Sequence, residues 1–525
     1  MKQNARLSQF TVMLTVLLAA CSTTITTNTD SCKGTEQATT RVLLQQLTAT
    51  SVTIKWRGAA DTVCVGDQQE RLNLKADAVD EGHHKLVTFA DLKPNTRYHY
   101  SIGGAARAPD GYSFVTAPNR GELPADGNIH IWLVGDSGTA SELDKNGAQK
   151  YPGAAESVKQ GFFKYNREQA DAEAIDLFLL LGDNAYPVGS DQQWQTSFFD
   201  MYPNIIQSTP TLPTIGNHEM GVGMFDICLF QPLPACDKGP VEHVIGGGSF
   251  SHDPNSYDSD GDGADDGGLP YLQIFTLPSK GEQGGVPSGT EQYYSVDYGN
   301  VHIVSLDSQL SNQDTEQRQA MRAWLVQDLI ANTVDWTVVI FHHPPYSKGK
   351  NHDSDLEQAE IDMREAFAPV FEAYGVDVVY SGHSHAYERS WYLGGHYGKA
   401  STFNAKQHTE LDANGEPSLG LANSPYSQIS ATSGADDKAV YTVAGSSGKI
   451  GGTPPPCGKV PKPFCAYEDL LSHPAHRSFA KLADDYWPNG IERLGSVVLD
   501  ISKDQLRSRF IDHNGEVLDH FIITK

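Results

Sequence analysis

Leu177-Phe178-Leu179-Leu180-Leu181-Gly182-Asp183-Asn184-Ala185-Tyr186 joins an unbroken apolar run to a glycine, a carboxylate, an amide and a phenol. Five consecutive large apolar residues read as a strand buried on both faces, and the glycine marks where it stops. The same grammar recurs along the chain. Residues 129–134 precede Gly135-Asp136-Ser137-Gly138, and residues 212–215 precede Gly216-Asn217-His218-Glu219. Residues 338–341 precede His342-His343-Pro344, and residues 376–380 precede Gly382-His383-Ser384-His385. Residues 301–306 offer another buried strand. Between them, residues 315–331 (Met321, Trp324, Leu325, Leu329) and 356–374 (Ile361, Phe367, Val370, Phe371) repeat apolar side chains at helical spacing. Apolar strands alternating with helices predict a layered α/β domain. The loops beyond the carboxyl ends of its strands should then converge on one crevice.

Alone, a Gly-Asp pair after a strand is commonly a turn. Five strand-end loops that together supply carboxylate, amide oxygen, imidazole and phenol form a donor set suited to iron, manganese or zinc. The pattern G-D-x-x, G-N-H-[DE], a strand-end histidine and G-H-x-H resembles the calcineurin-like metallophosphoesterases. Many of these open with D-x-H, whereas the third position here is Gly138. The phenol of Tyr186 in G-D-x-x-Y, together with Tyr294-Ser295-Val296-Asp297-Tyr298-Gly299 and His385-Ala386-Tyr387-Glu388-Arg389-Ser390, is similar to the purple acid phosphatases. The likeness runs from about residue 40 to the C-terminus.

The resemblance implies an α/β fold, a four-layer metallophosphoesterase β-sandwich flanked by helices, preceded by an all-β fibronectin type III-like sandwich. It implies that Asp136, Asp183, Tyr186 and His385 bind Fe3+, with Asp183 bridging to a second divalent metal (Zn, Mn or Fe). Asn217, His342 and His383 complete that second site, and His343 takes the place of His342 if the strand register slips by one. His218 would face the transferred phosphoryl group, and His352 would touch substrate or protonate the leaving group. The implied activity is hydrolysis of phosphate monoesters through a metal-bound hydroxide. A phosphodiesterase or nucleotide hydrolase would use the same metals, and a non-catalytic calcium-binding or adhesion protein would keep the modules without the chemistry. Two adjacent cations suit the reaction physically, because they neutralise an anionic ester and generate a nucleophile at moderate pH.

The remainder of the chain sets the context. Its 525 residues suffice for at least two domains. Asp and Glu outnumber Lys and Arg by 65 to 39, and a net charge of −26 argues against a nucleic-acid partner. A small phosphorylated substrate is the expected partner; the oligomeric state is left open. Lys2 and Arg6 precede an apolar run ending at Leu18-Ala19-Ala20-Cys21. Residues 1–20 read as a signal peptide, too short to span a membrane permanently, and the junction resembles the lipobox of bacterial lipoproteins. Cys21 would carry the lipid, residues 21–38 would be a tether, and Ser22 suits sorting to the outer membrane. The expected product is exported and lipid-anchored to the bacterial envelope, with no other membrane attachment.

Six cysteines remain, and an exported chain favours disulfides. Proximity suggests Cys32 with Cys64, Cys228 with Cys236 and Cys457 with Cys465, one of fifteen connectivities. Residues 39–117 contain short β-rich runs (41–47, 51–56, 84–89, 97–102, 111–115), and Leu92-Lys93-Pro94-Asn95-Thr96-Arg97-Tyr98-His99-Tyr100 resembles the tyrosine corner of fibronectin type III domains. Tyr98 or Tyr100 is then structural. A Pro/Gly-rich linker (117–127) leads to a catalytic domain over residues 128–525, whose tail from Gly495 should finish a sheet. Near 253–266 an acidic insert carries Asp258, Asp260, Asp262 and Asp266 at the spacing of a calcium loop, with Gly263 for the bend but no late glutamate. The Gly/Pro/Asp-rich stretch 221–287 around it would cap the crevice.

Overall fold

The computed structural model describes residues 26–27, 32–168, 175–226, 242–246, 254–258, 266–348, 352–428, 438–451, 473–477, 479, 486–487 and 490–525. The leader, Cys21, Cys228, Cys236, Cys457, Cys465, Asp260 and Asp262 lie outside them.

Two sheets build the larger part of the molecule. The first runs, in spatial order, Thr211–Pro213, Leu177–Leu180, Ile129–Val134, Gly495–Ile501, Gln505–Asp512, Val517–Thr524 and Tyr426–Ser427. The second runs Tyr294–Tyr298, Val301–Ser305, Trp336–Ile340, Val378–Ser381, Ala439–Ala444, Tyr387–Leu393, Gly490–Ile491 and Tyr486–Trp487. Ile129–Val134, Leu177–Leu180 and Thr211–Pro213 are parallel, as are Val301–Ser305, Trp336–Ile340, Val378–Ser381 and Ala439–Ala444. Parallel pairing brings the carboxyl ends to a common edge, which is why the strand-end loops emerge together. The C-terminal strands close the first sheet by antiparallel pairing.

Period-two alternation assigns each strand residue to a layer. Ile303, Val338, Ile340 and Val378 share a core with Ile131, Val497 and Leu499 of the opposite sheet. Their neighbours Val304, Val339, Phe341 and Val379 pack instead with Met321, Trp324, Leu325, Phe367 and Phe371 from the helices. On the other flank Phe162 of the helix Ala154–Glu168 stacks on Trp132 with ring centroids 4.3 Å apart. The order is helix, sheet, sheet, helix, the four layers expected.

The helix Thr315–Ala331 starts where Asp314 caps the Gln317 N–H at 2.8 Å, and it buries Met321, Trp324, Leu325 and Leu329. The helix read over 356–374 runs unbroken from Gln358 to Ala373, with a wider π turn, Met363–Phe367, between its α-helical ends. Pro369 explains the π turn. It has no N–H for the Glu365 carbonyl and its ring crowds that turn, so the ladder loosens before it.

The N-terminal part is two antiparallel sheets, one of Thr39–Gln45, Val52–Gly58, Lys85–Phe89 and Val79–Asp80, the other built on Leu74–Asp77, Thr62–Gly66, Arg97–Ile102 and Ser113–Val115. This all-β unit is the fibronectin-like sandwich. Cys32 and Cys64 form a disulfide. The Tyr98 hydroxyl accepts the Lys93 N–H at 3.0 Å, a structural role, and the buried Tyr100 hydroxyl donates to the Gln207 carbonyl at 2.7 Å across to the larger unit.

Candidate metal centre

Asp136, Asp183, Asn217, His342 and His383 stand on five loops at the common edge, and their side chains meet. The Tyr186 hydroxyl lies 2.8 Å from Asp183 Oδ2 and 3.1 Å from Asp136 Oδ1, and His385 Nε2 is 3.5 Å from the same Asp136 oxygen. On the other side His342 Nε2 is 3.4 Å from Asp183 Oδ1 and 3.0 Å from Asn217 Oδ1, which His383 Nδ1 approaches to 3.1 Å. Asp183 thus presents one oxygen to each group. Ligand atoms of Asp136, Asp183 and His342 lie within 4.8 Å of one another, as do those of His342, His343 and His383.

The backbone is bent to achieve this. Asp136 (φ 56°), Asp183 (φ 54°) and His383 (φ 68°) occupy the left-handed region, which costs a side-chain-bearing residue on the order of 1 kcal/mol or more. Each turn follows a glycine, and close approach requires both Gly382, before His383, and Gly216, before Asn217. A Cβ on Gly382 would stand 2.5 Å from Asp136 Oδ2, and one on Gly216 would stand 2.3 Å from the Asp183 nitrogen. The buried carboxylate of Glu219 stitches two loops together by accepting the N–H groups of Gly216 (2.7 Å), Asp183 (3.0 Å) and Asn184 (2.6 Å).

Charge and burial compete throughout. Burial disfavours the Asp183 carboxylate, yet His342 and His218 hold it well below the usual range. Burial and the two aspartates push the Tyr186 phenol well above its ordinary value. Burial works against a charged His342, but Asp183 outweighs it and carries the imidazole up to about 9. Burial, then His352, takes His383 down to about 4, and burial with His383 and His342 holds His343 well below its ordinary value. The phenolic proton and the His342 cation therefore sit where oxygen and nitrogen donors converge, the arrangement expected of a cation site. The mixed carboxylate, phenol, amide and imidazole set fits two first-row transition ions.

His218 lies beside this cluster, its Nδ1–H donating to the Pro187 carbonyl at 2.6 Å and its Nε2 3.9 Å from Asp183 Oδ2. The His352 ring lies against that of His383, tilted by 45° with centroids 3.8 Å apart, and its Nδ1 is 3.0 Å from Glu357, whose other oxygen is 2.9 Å from His383 Nε2. His343 turns its Nδ1 to Ser308 Oγ at 2.9 Å, whereas His342 faces Asp183 and Asn217. Of the acidic insert, Asp258 and Asp266 are described. The Asp266 N–H bonds the Tyr257 carbonyl at 2.7 Å, and Tyr257 reaches Val188 at 3.0 Å, two residues beyond Tyr186.

Sequence reasoning missed four contributors. Glu219 ends the motif Gly216-Asn217-His218-Glu219, which by itself assigns it no role. Glu357 follows no strand-end pattern, whereas Ser308 comes just after the strand Val301–Ser305 and the same rule would have found it. The loop Gly445-Ser446-Ser447-Gly448-Lys449 follows the apolar strand Ala439–Ala444, so the rule that found the other five would have found it as well. Its Lys449 Nζ lies 3.5 Å from the Tyr186 ring centroid and 3.4 Å from Glu142.

Residues 129–387 match the calcineurin-like phosphoesterase family, so this chain carries a metallophosphoesterase domain of that class. Its homologues include purple acid phosphatases. It is 29% identical over 314 residues to Purple acid phosphatase 22 of Arabidopsis thaliana (58% of this chain, 53% of that one). It is 25% identical over 314 residues to Purple acid phosphatase 1 of Ipomoea batatas (59% and 51%). The chain spans about half the length of these curated relatives. The structure of purple acid phosphatase PPD1 from yellow lupin (Lupinus luteus) seeds superposes with a TM-score of 0.58 at 17% identity over 93% of this chain and 74% of that one, a likeness of fold.

Proposed function

We propose that this protein hydrolyses phosphate monoesters at a dinuclear centre. Asp136, Asp183, Tyr186 and His385 would hold Fe3+, and Asp183, Asn217, His342 and His383 a divalent ion (Zn, Mn or Fe). The observation that carries the reading is the placement of Asp183, with one oxygen toward Tyr186 and the other toward His342. Two bound cations supply charge neutralisation of the ester and activation of water.

The chain's own residues do the rest. The Pro187 carbonyl fixes the neutral His218 tautomer, with the proton on Nδ1 and Nε2 turned to the centre, where a second proton would let it donate to a phosphoryl oxygen. Glu357 holds His352 above His383, in a position to protonate a departing alcohol. The small phosphorylated substrate is met by imidazoles and cations, with positioning and charge stabilisation the main demands of phosphoryl transfer. The mature chain would be exported and anchored through a lipid on Cys21, a reading favoured by the disulfide Cys32–Cys64. Cys21→Ala should then leave the protein soluble in the exported fraction.

The test is a visible spectrum, a metal analysis and a phosphate-release assay on one purified preparation. A broad visible band, about two transition metals per chain and faster release from monoesters than from diesters are expected. Tyr186→Phe should bleach the band while the fold persists. A colourless protein with two divalent metals would overturn the iron assignment, and absence of phosphate release would overturn the function.

A further inference from the structure

The sixth loop places a buried cation against the phenol. Lys449, 7% exposed, lies over the face of the Tyr186 ring with its Nζ 3.5 Å from the centroid. Glu142 anchors the ammonium at 3.4 Å and is shared with Lys150 at 2.6 Å. The loop has little freedom. Gly448 accepts from Thr139 Oγ1 at 2.9 Å, the Ser447 N–H bonds the Gly135 carbonyl at 3.1 Å, and a Cβ on Gly448 would meet the Asp136 carbonyl at 2.4 Å. Lys449 is thus fastened to the turn that carries Asp136 as well as to the ring of Tyr186.

We propose that Lys449 is a positioning residue for Tyr186, pinning the ring from its face and lowering the energy of the electrons the phenol offers as a ligand. A cation over an aromatic face is attracted by the ring's π electrons, and burial keeps that attraction from being screened. The attraction grows when the oxygen carries charge. The proposal rests on the tyrosine–iron reading above. The visible band of such a centre moves an electron from phenolate to metal, so a cation in contact with the donor raises the transition energy, and its loss lowers it.

The experiment compares visible maxima and iron content in purified wild type, Lys449→Met and Lys449→Arg. Met keeps the length without charge; Arg keeps the charge. The expected result is an Arg band near the wild-type position and a Met band at longer wavelength, with iron retained in both. Iron lost from Met but kept in Arg would also support a charge-dependent clamp. A Met maximum unchanged at full iron content, or iron lost from both variants, would overturn the role of Lys449 while leaving the iron reading intact. A colourless wild type containing two metals would instead remove the iron reading and this proposal with it. A merely structural lysine would not move the band of a variant that still binds iron.

Discussion

Asp136, Asp183 and His383 hold unfavourable backbone conformations because their neighbours leave them no other. Glu219 is central to this, since one carboxylate gathers three N–H groups from two loops, including those of Asp183 and Asn184. Burial, then the nearby Asp183, pushes its own carboxyl up to about 7, while the Asn184 and Gly216 N–H groups and the charge of His342 pull it back. Glu219→Gln keeps the shape but turns an NH2 group toward backbone donors. The fold should survive, while affinity for the second metal falls about 10- to 100-fold, the range for residues that orient ligands. Competition with a chelator would measure it, and unchanged affinity would mean that the glycine turns alone set the loops. Asp183→Asn, by contrast, removes the shared carboxylate itself, so both metal occupancy and turnover should disappear. Retained activity would sink the bridging role.

Elements are locked together away from the centre by a charge-bearing triad. His302, in the strand Val301–Ser305, places Nδ1 2.7 Å from Asp297 in the neighbouring strand and Nε2 2.8 Å from Asp328 in the helix Thr315–Ala331. Burial disfavours its charge, yet the two carboxylates carry the imidazole up to about 9. A raised folded value means stability present in full below the unfolded value near 6.5 and lost as pH climbs through about 9. The amount is on the order of 3 kcal/mol. Asp297, held below its ordinary range by His302 and Arg120 despite burial, adds the opposite limb, lost on acidification. The denaturant midpoint should therefore fall between pH 7 and about 10, and His302→Gln should flatten that fall. An equal slope in the variant would assign it to other groups. This triad was not legible in the sequence, where His302 is one polar letter inside an apolar strand. The strand-end motifs were legible because a buried strand and a following glycine leave a local signature. Pro369 marks where the helix within 356–374 widens into a π turn, and Lys449 escapes notice although its strand obeys the same rule.

At the scale of the whole molecule, the sandwich braces the loop that carries Tyr186. Arg41 and Arg57 both fork onto Asp191, with contacts of 2.7 and 2.8 Å from the first and 2.9 and 2.6 Å from the second. Arg41 also donates to Gln195 at 2.7 Å and lies over Phe199. Asp191 opens a helix capped by Ser190, and Gln193 of that helix accepts the Val188 N–H at 3.0 Å, which ties the clamp to the chain just after Tyr186. Gln45 adds bonds to Thr211 and Thr276. No local pattern could announce these contacts, because Arg41 and Asp191 are 150 residues apart and each reads alone as a surface charge. Bidentate geometry makes such pairs strong, but the Asp191 side chain is 46% exposed while that of Arg41 is 3% exposed, so solvent weakens the carboxylate's share. Asp191→Ala leaves two guanidiniums facing each other, one of them buried. It should cost about 2 kcal/mol, below the ~3–5 kcal/mol of a fully buried pair. Arg57→Ala should cost less, because Arg41 would keep the carboxylate. Thermal unfolding at fixed pH would measure both losses. Equal small losses in the two variants would mean that apolar packing, rather than this clamp, joins the sandwich to the metal-bearing loop.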